Sequence, residues 1–204
     1  IGEDGTSQMG LEDVAAMRAL PHMVVLQPAD ALETRQAVEW SAEHQGPVYM
    51  RLTRQKMDDV HGEDYKFQIG KCDVLWQAPG TKHFQATIFA SGGPVPHAVN
   101  AAKDLQARGF SARVVNACTL APFDEDAVVR FAKDSDRLVT VEDHNVVGGL
   151  GSAVCEAAGG RGIGIPVVRM GVRSFGESAT PEQLYDKYGL SAPHIVEACL
   201  RNLS

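Results

Sequence analysis

The sequence predicts an α/β fold in three layers around a mostly parallel sheet. Two observations predict it. Short apolar runs such as His22–Gln27, Val48–Thr53, Phe84–Ala90 and Ser111–Asn116 alternate along the whole chain with stretches of helical periodicity. Proline, glycine and aspartate stand between them at turn and cap positions, and a helix on each side of an apolar strand is the pattern of parallel pairing.

In order, Leu11–Leu20 carries apolar residues on a helical face and stops at Pro21, and His22–Gln27 reads as a buried strand ended by Pro28. Asp30 is placed to cap the next helix, with Glu33 three residues on as its capping-box partner, and the pattern runs to about His44. Val48–Thr53 is a strand leading to Arg54. From Gln55 to Gln68 the chain is charged and aperiodic, which marks a domain boundary. Beyond it, Gly70–Trp76 reads as an edge strand, Phe84–Ala90 as a buried one, and Pro94–Ala107 as a helix ended by Gly109. Ser111–Asn116 is a strand, Thr119–Asp124 a turn whose Asp124 caps a helix to Lys133, and Arg137–Glu142 another strand. Gly148, Gly149 and Gly151 open a helix through Ala158, Pro166–Met170 is the last strand, and Thr180–Pro181 and Ser191–Pro193 begin two terminal helices.

Composition narrows the function. The 204 residues, 44% hydrophobic, suffice for a buried core. A net charge of −7 argues against a binder of nucleic-acid backbones. Cys72, Cys118, Cys155 and Cys199 form no C-x-x-C pair, so they predict buried thiols of a reducing compartment rather than zinc ligands or disulfides. Apolar runs are far shorter than a membrane span, and a cytoplasmic setting is expected.

The chemistry-bearing stretch is the opening one. Gly2 and Gly5 flank Glu3 and Asp4, an arrangement that suits a loop lying against a ligand. Asp4 can accept hydrogen bonds from sugar hydroxyls, and Gln8 offers a donor and an acceptor. The same residues also suit a plain helix N-terminus. Arg54 falls past a strand's C-terminal end, the edge where open α/β sheets bind ligands, and its planar guanidinium could hold a phosphate. A surface ion pair is the alternative for Arg54, and Arg51 is the competing phosphate candidate. The Gly148–Gly151 loop is neither G-x-G-x-x-G nor a Walker loop and reads as a tight strand-to-helix turn. Glu142, Asp143 and His144 are consecutive on a strand and so point in different directions, against a converging acid/base or metal cluster. H-x-x-x-H and G-x-S-x-G are absent, and no catalytic set is complete.

The segment GEDGTSQMGLEDVAAMRALPHMVVLQPADALETRQAV resembles the pyrimidine-binding domain of transketolase, and TVEDHNVVGGLGSAV and GVRSFGESATPEQLYDKYGLSAPHIVEA resemble the C-terminal domain of that family. The resemblance implies that residues 1–60 close a thiamine-diphosphate pyrimidine domain, 61–69 link, and 70–204 form a transketolase C-terminal domain. It implies a transferase of the pentose phosphate pathway that moves a two-carbon ketol unit from a ketose phosphate to an aldose phosphate. Thiamine diphosphate and a divalent metal, Mg or Ca, would be its cofactors, with most of their ligands upstream of this segment. Asp4 matches the aspartate that contacts the sugar, Arg54 the arginine for its terminal phosphate, and Gln8 a position beside cofactor and substrate that is His in bacterial- and yeast-like members and Gln in animal-like ones. Thr6 departs from the proline of many members. The active site would lie between subunits, in a homodimer or with a chain carrying the missing half; the chain opens at Ile1, so a fragment or split product without turnover of its own is expected. Deoxyxylulose-phosphate synthase and the beta chain of a 2-oxoacid dehydrogenase share the architecture and are the alternatives within thiamine chemistry. A non-catalytic dimerisation or regulatory module is the alternative of another class.

Overall fold

The computed structural model describes Gly5 and residues 8–201. The first part supplies α1 (Asp13–Arg18), β1 (Val24–Leu26), α2 (Ala31–Glu43) and β2 (Val48–Met50). After a connector come β3 (Asp73–Gln77), β4 (Ala86–Ala90), α3 (Val95–Ala107), β5 (Ala112–Asn116), β6 (Thr119–Ala121), α4 (Glu125–Ala132), β7 (Leu138–Asn145), α5 (Leu150–Gly160), β8 (Val167–Val172), α6 (Pro181–Lys187) and α7 (Ala192–Leu200).

The larger sheet has the order β3-β5-β4-β7-β8, parallel except for β3, which pairs antiparallel at the edge expected for it. Every residue of β4 and β5 is buried, as strands covered on both faces require. Neighbouring residues then serve opposite cores: Ile88 packs with α3, α6 and α7, while Phe89 packs with α4, α5 and α1. Those two cores make the three layers.

The smaller sheet, β2-β1-β6, corrects one expectation. Thr119–Ala121, predicted as part of a turn, is a strand antiparallel to β1, and the turn is confined to the residues after it. The reason lies outside the local sequence: β1 is buried and has a second edge of backbone groups to satisfy, and Leu120 buries its side chain by filling that edge. β6 lies well beyond the connector in sequence, so the two sheets are stitched together.

Caps follow the sequence closely. Asp124 accepts from Ala127 N at 3.1 Å, and Asp30 accepts from Glu33 N at 2.8 Å. The Glu33 carboxylate reaches back one residue further than a capping box would take it, to Ala29 N at 2.7 Å. The aperiodic connector is held by side chains of α2 and its cap: Val60 N and His61 N donate to Asp30, and Phe67 N donates to Gln36.

Candidate functional site

The chain leaves β2 at Arg51, and the next residues run along a cleft of about 250 Å³ whose walls include Gln8, Asp13, Thr53, Arg54 and Asp143. Gln8 and Arg54, two residues singled out from sequence, thus meet on one cleft; Asp4 lies outside the described residues. Arg54 also borders a neighbouring hollow of about 440 Å³ with His97, Asn100 and Tyr185.

Arg51, the competing candidate, is occupied internally. Its guanidinium donates to Asp13 Oδ2 at 3.0 Å, Asp143 Oδ1 at 2.6 Å and the Gly10 carbonyl at 3.1 Å, with only 11% of the side chain exposed. Tyr49 also donates to Asp13 Oδ2, at 2.6 Å. A buried guanidinium between two carboxylates is a structural knot, because removing either sign would strand the other. Two oxygens of cleft-lining residues are different. Asp13 Oδ1 and Thr53 Oγ1 are buried without a hydrogen-bond partner. Such atoms cost about 1–3 kcal/mol each unless something bonds them. The side chains of Gln8, Asp13, Thr53 and Arg54 lining one cleft suit a ligand with hydroxyl and anionic groups.

Asp143 is, like Asp13 and Thr53, a cleft residue that the sequence alone does not isolate. Burial pushes its carboxyl up, but Arg51 and hydrogen bonds from Arg51 and Gln27 outweigh that and hold it below its ordinary value. Tyr185 donates to its other oxygen at 3.4 Å. The signal was the Glu142–His144 run, but only the strand pleat and the position of Arg51 decide which of the three faces the cleft.

The other two point elsewhere, as their strand spacing predicts. Glu142 accepts from Leu150 N at 2.7 Å and Gly151 N at 2.8 Å, so the α5 N-terminus is already filled by the protein's own carboxylate. Burial pushes that carboxyl up to about 7, against the two N–H donors. A Cβ at Gly149 would collide with Glu142 Oε2, so this glycine serves close approach. His144 accepts from Ala15 N at Nε2 and donates Nδ1–H to the Asn145 carbonyl, docking α1 on β7.

Comparison with known proteins places the chain in a family. Residues 1–59 match the model of the transketolase pyrimidine binding domain, and residues 80–195 that of the transketolase C-terminal domain. Among curated proteins, a putative transketolase C-terminal section of Methanocaldococcus jannaschii is 36% identical over all of this chain and 63% of its own length. A 6-deoxy-6-sulfo-D-fructose transketolase subunit of a Clostridium species is 39% identical over 96% of this chain and 59% of its own. Mouse transketolase is 34% identical over 97% of this chain but 31% of its own length. Among solved structures, a split-gene transketolase described as an inactive beta4 tetramer superposes with a TM-score of 0.85 at 41% identity, covering 96% of this chain and 62% of that one. A Campylobacter jejuni transketolase shares the fold, at a TM-score of 0.78 and 22% identity over 98% of this chain and 29% of that one.

The chain belongs to the transketolase family. It spans about three fifths of the first curated relatives it matches and about a third of the mouse transketolase. No described helix is long and apolar enough to cross a membrane.

Proposed function

We propose that this chain is the substrate-facing C-terminal part of a transketolase. With the region or chain that carries the cofactor half, it would transfer a two-carbon ketol unit from a ketose phosphate to an aldose phosphate. The observation that carries this reading is the convergence of Gln8 and Arg54 with Asp13 and Thr53 on one cleft.

In this reading Arg54 holds the terminal phosphate through paired N–H donors, a role its planar fork fills better than lysine would. Asp13 and Thr53, with Asp4, bond the sugar hydroxyls and fix which carbon faces the reacting centre. Arg51 does not touch the sugar; tied to Asp13 and Asp143, it holds the cleft wall in shape. Thiamine diphosphate, when bound with its divalent metal, supplies the electron sink for breaking and making the carbon–carbon bond. The cleft's own groups fit the sugar phosphate, and Gln8 is the described residue whose amide would stand toward the cofactor.

The similar split-gene protein is described as inactive in its beta4 form, which supports a division of labour in which this half has no turnover alone. The test is add-back. Purified residues 1–204 should show no ketol transfer, and mixing with the cofactor-bearing half should restore it with one cofactor site per pair of halves. Turnover by residues 1–204 alone, or none in a stable complex of the two halves, would reject the proposal.

A further inference from the structure

The seam between the two sheets holds a second polar cluster that takes no part in the cleft. Asp73 of β3 and Asn116 of β5 stand directly opposite in antiparallel register, so their side chains share a face. Glu33, from the first turn of α2, and His61, from the connector, reach the same point. Glu33 is fully buried, the His61 side chain is 2% exposed and the Asp73 side chain 37%, so the cluster is enclosed with one open side.

The distances are short. His61 Nε2 lies 3.4 Å from Asp73 Oδ2 and 4.0 Å from Glu33 Oε1. Asn116 Nδ2 lies 2.8 Å from Glu33 Oε1, 3.3 Å from Asp73 Oδ1 and 3.5 Å from His61 Nε2. One ligand atom from each of Glu33, His61 and Asp73 falls within 4.8 Å of the others. Four ligands about 2.1 Å from a central ion would be about 3.4 Å apart, so little closure is needed.

Three features go beyond what a hydrogen-bonded network needs. Asn116 is fully buried and aimed into the cluster, yet its Oδ1 has no partner. A half-turn of the amide puts that oxygen where Nδ2 stands, converting a donor to a ligand. His61 is held from behind: its Nδ1 lies 2.8 Å from Asp30 Oδ2, which leaves Nε2 directed at Glu33, Asp73 and Asn116. A carboxylate on the far nitrogen is the usual support of a metal-binding histidine. Glu33 is steadied in the same way, by Tyr65 Oη donating to Oε1 at 2.6 Å and Ala29 N donating to Oε2. Finally, three carboxylates, those of Asp30, Glu33 and Asp73, crowd round a single imidazole.

We propose that Glu33, His61, Asp73 and Asn116 bind one divalent transition-metal ion of the zinc class, which fastens the two sheets together. One imidazole nitrogen with three oxygens suits Zn²⁺, Co²⁺ or Mn²⁺. Glu33 lies in the segment matching the pyrimidine-domain model, Asn116 in that matching the C-terminal-domain model, and His61 and Asp73 between them. The ion's role is structural, and the proposal does not rest on the sugar-phosphate reading of the cleft.

The test titrates the chelator-stripped chain with ZnCl₂ and, separately, CoCl₂. One equivalent of zinc should bind and raise the thermal midpoint, and cobalt should give visible absorption bands of a nitrogen- and oxygen-ligated ion. His61→Gln and Asp73→Asn should each weaken binding at least tenfold; the partly exposed Asp73 keeps the test open if the His61 variant fails to fold. A double variant at the exposed pairs, His83→Gln with His194→Gln, should bind as the wild type does. Absence of stoichiometric binding, equal binding by Asp73→Asn, or loss in the surface double variant would overturn the proposal.

Discussion

Two polar regions are joined by the Arg51–Asp143 ion pair and differ in one respect. The Glu142–His144 run looks more like an active site in sequence, yet Glu142 and His144 are bonded to backbone groups of α5, α1 and β7. The cleft wall beyond β2 looks plainer, yet it keeps Asp13 Oδ1 and Thr53 Oγ1 buried without partners beside Arg54. The first region uses its polar groups to hold helices; the second leaves two of its oxygens unbonded. Density of chemical side chains is therefore a weaker guide than the count of hydrogen bonds left unmade.

The difference predicts opposite phenotypes. The largest effect is at the knot joining the regions: Arg51→Ala strands Asp13 and Asp143 in a buried setting and should cost about 3–5 kcal/mol, read as a shift in the urea midpoint. Glu142→Gln keeps an acceptor oxygen for one of the two α5 N–H groups but turns an NH2 donor against the other, and should cost about 1–3 kcal/mol in the same measurement, while leaving substrate affinity of the reconstituted enzyme unaltered.

His144 sets a pH dependence. Burial holds its pKa below the ordinary 6.5, and with Nε2 accepting from Ala15 the ring is neutral when folded. Asp13 Oδ1 stands 3.9 Å from Nε2 and Glu142 Oε2 3.7 Å from Nδ1. The unfolded chain takes a proton near 6.5 that the folded chain refuses, so this contribution is complete above that pH and lost as pH falls toward the folded value. Glu142 has the opposite sign: its contribution is complete below 4.5 and lost as pH rises through about 7. The effect is isolated as a difference, and unfolding free energies of His144→Asn should fall less steeply than those of the wild type below 6.5.

The smallest effect should be Thr53→Val. Removing a partnerless hydroxyl should leave stability equal or raise it by up to about 1 kcal/mol, while KM for the sugar rises severalfold. A clear loss of stability would mean that the hydroxyl serves the fold and not a ligand.

Much of the architecture was legible because its signals are local. Asp30, Asp124 and Thr180 cap where they were expected to, and Gly109 takes a φ of +75° at the end of α3. β6 was not legible, since what makes Thr119–Ala121 a strand is the exposed edge of β1, more than ninety residues earlier. In the cleft, Gln8 and Arg54 could be named from the loop and the strand end. The roles of Asp13, Thr53 and Asp143 depend on which of their oxygens the tertiary structure satisfies, and Arg51 could be told from Arg54 only by the two carboxylates that hold it. The cluster at Glu33 was visible only as a helix cap, because Asp73 and Asn116 meet through antiparallel register.

The central claim is that Arg54 faces a substrate phosphate across this cleft. The most direct measurement compares wild type and Arg54→Ala in the complex with the cofactor-bearing half, using a phosphorylated ketose donor and the same ketose without its phosphate. Loss of a charged hydrogen-bonding partner, about 1.5–3 kcal/mol, should lower kcat/KM for the phosphorylated donor roughly tenfold or more, mainly through KM, and leave the unphosphorylated donor unaffected. Equal losses on both donors, or none on either, would contradict the account.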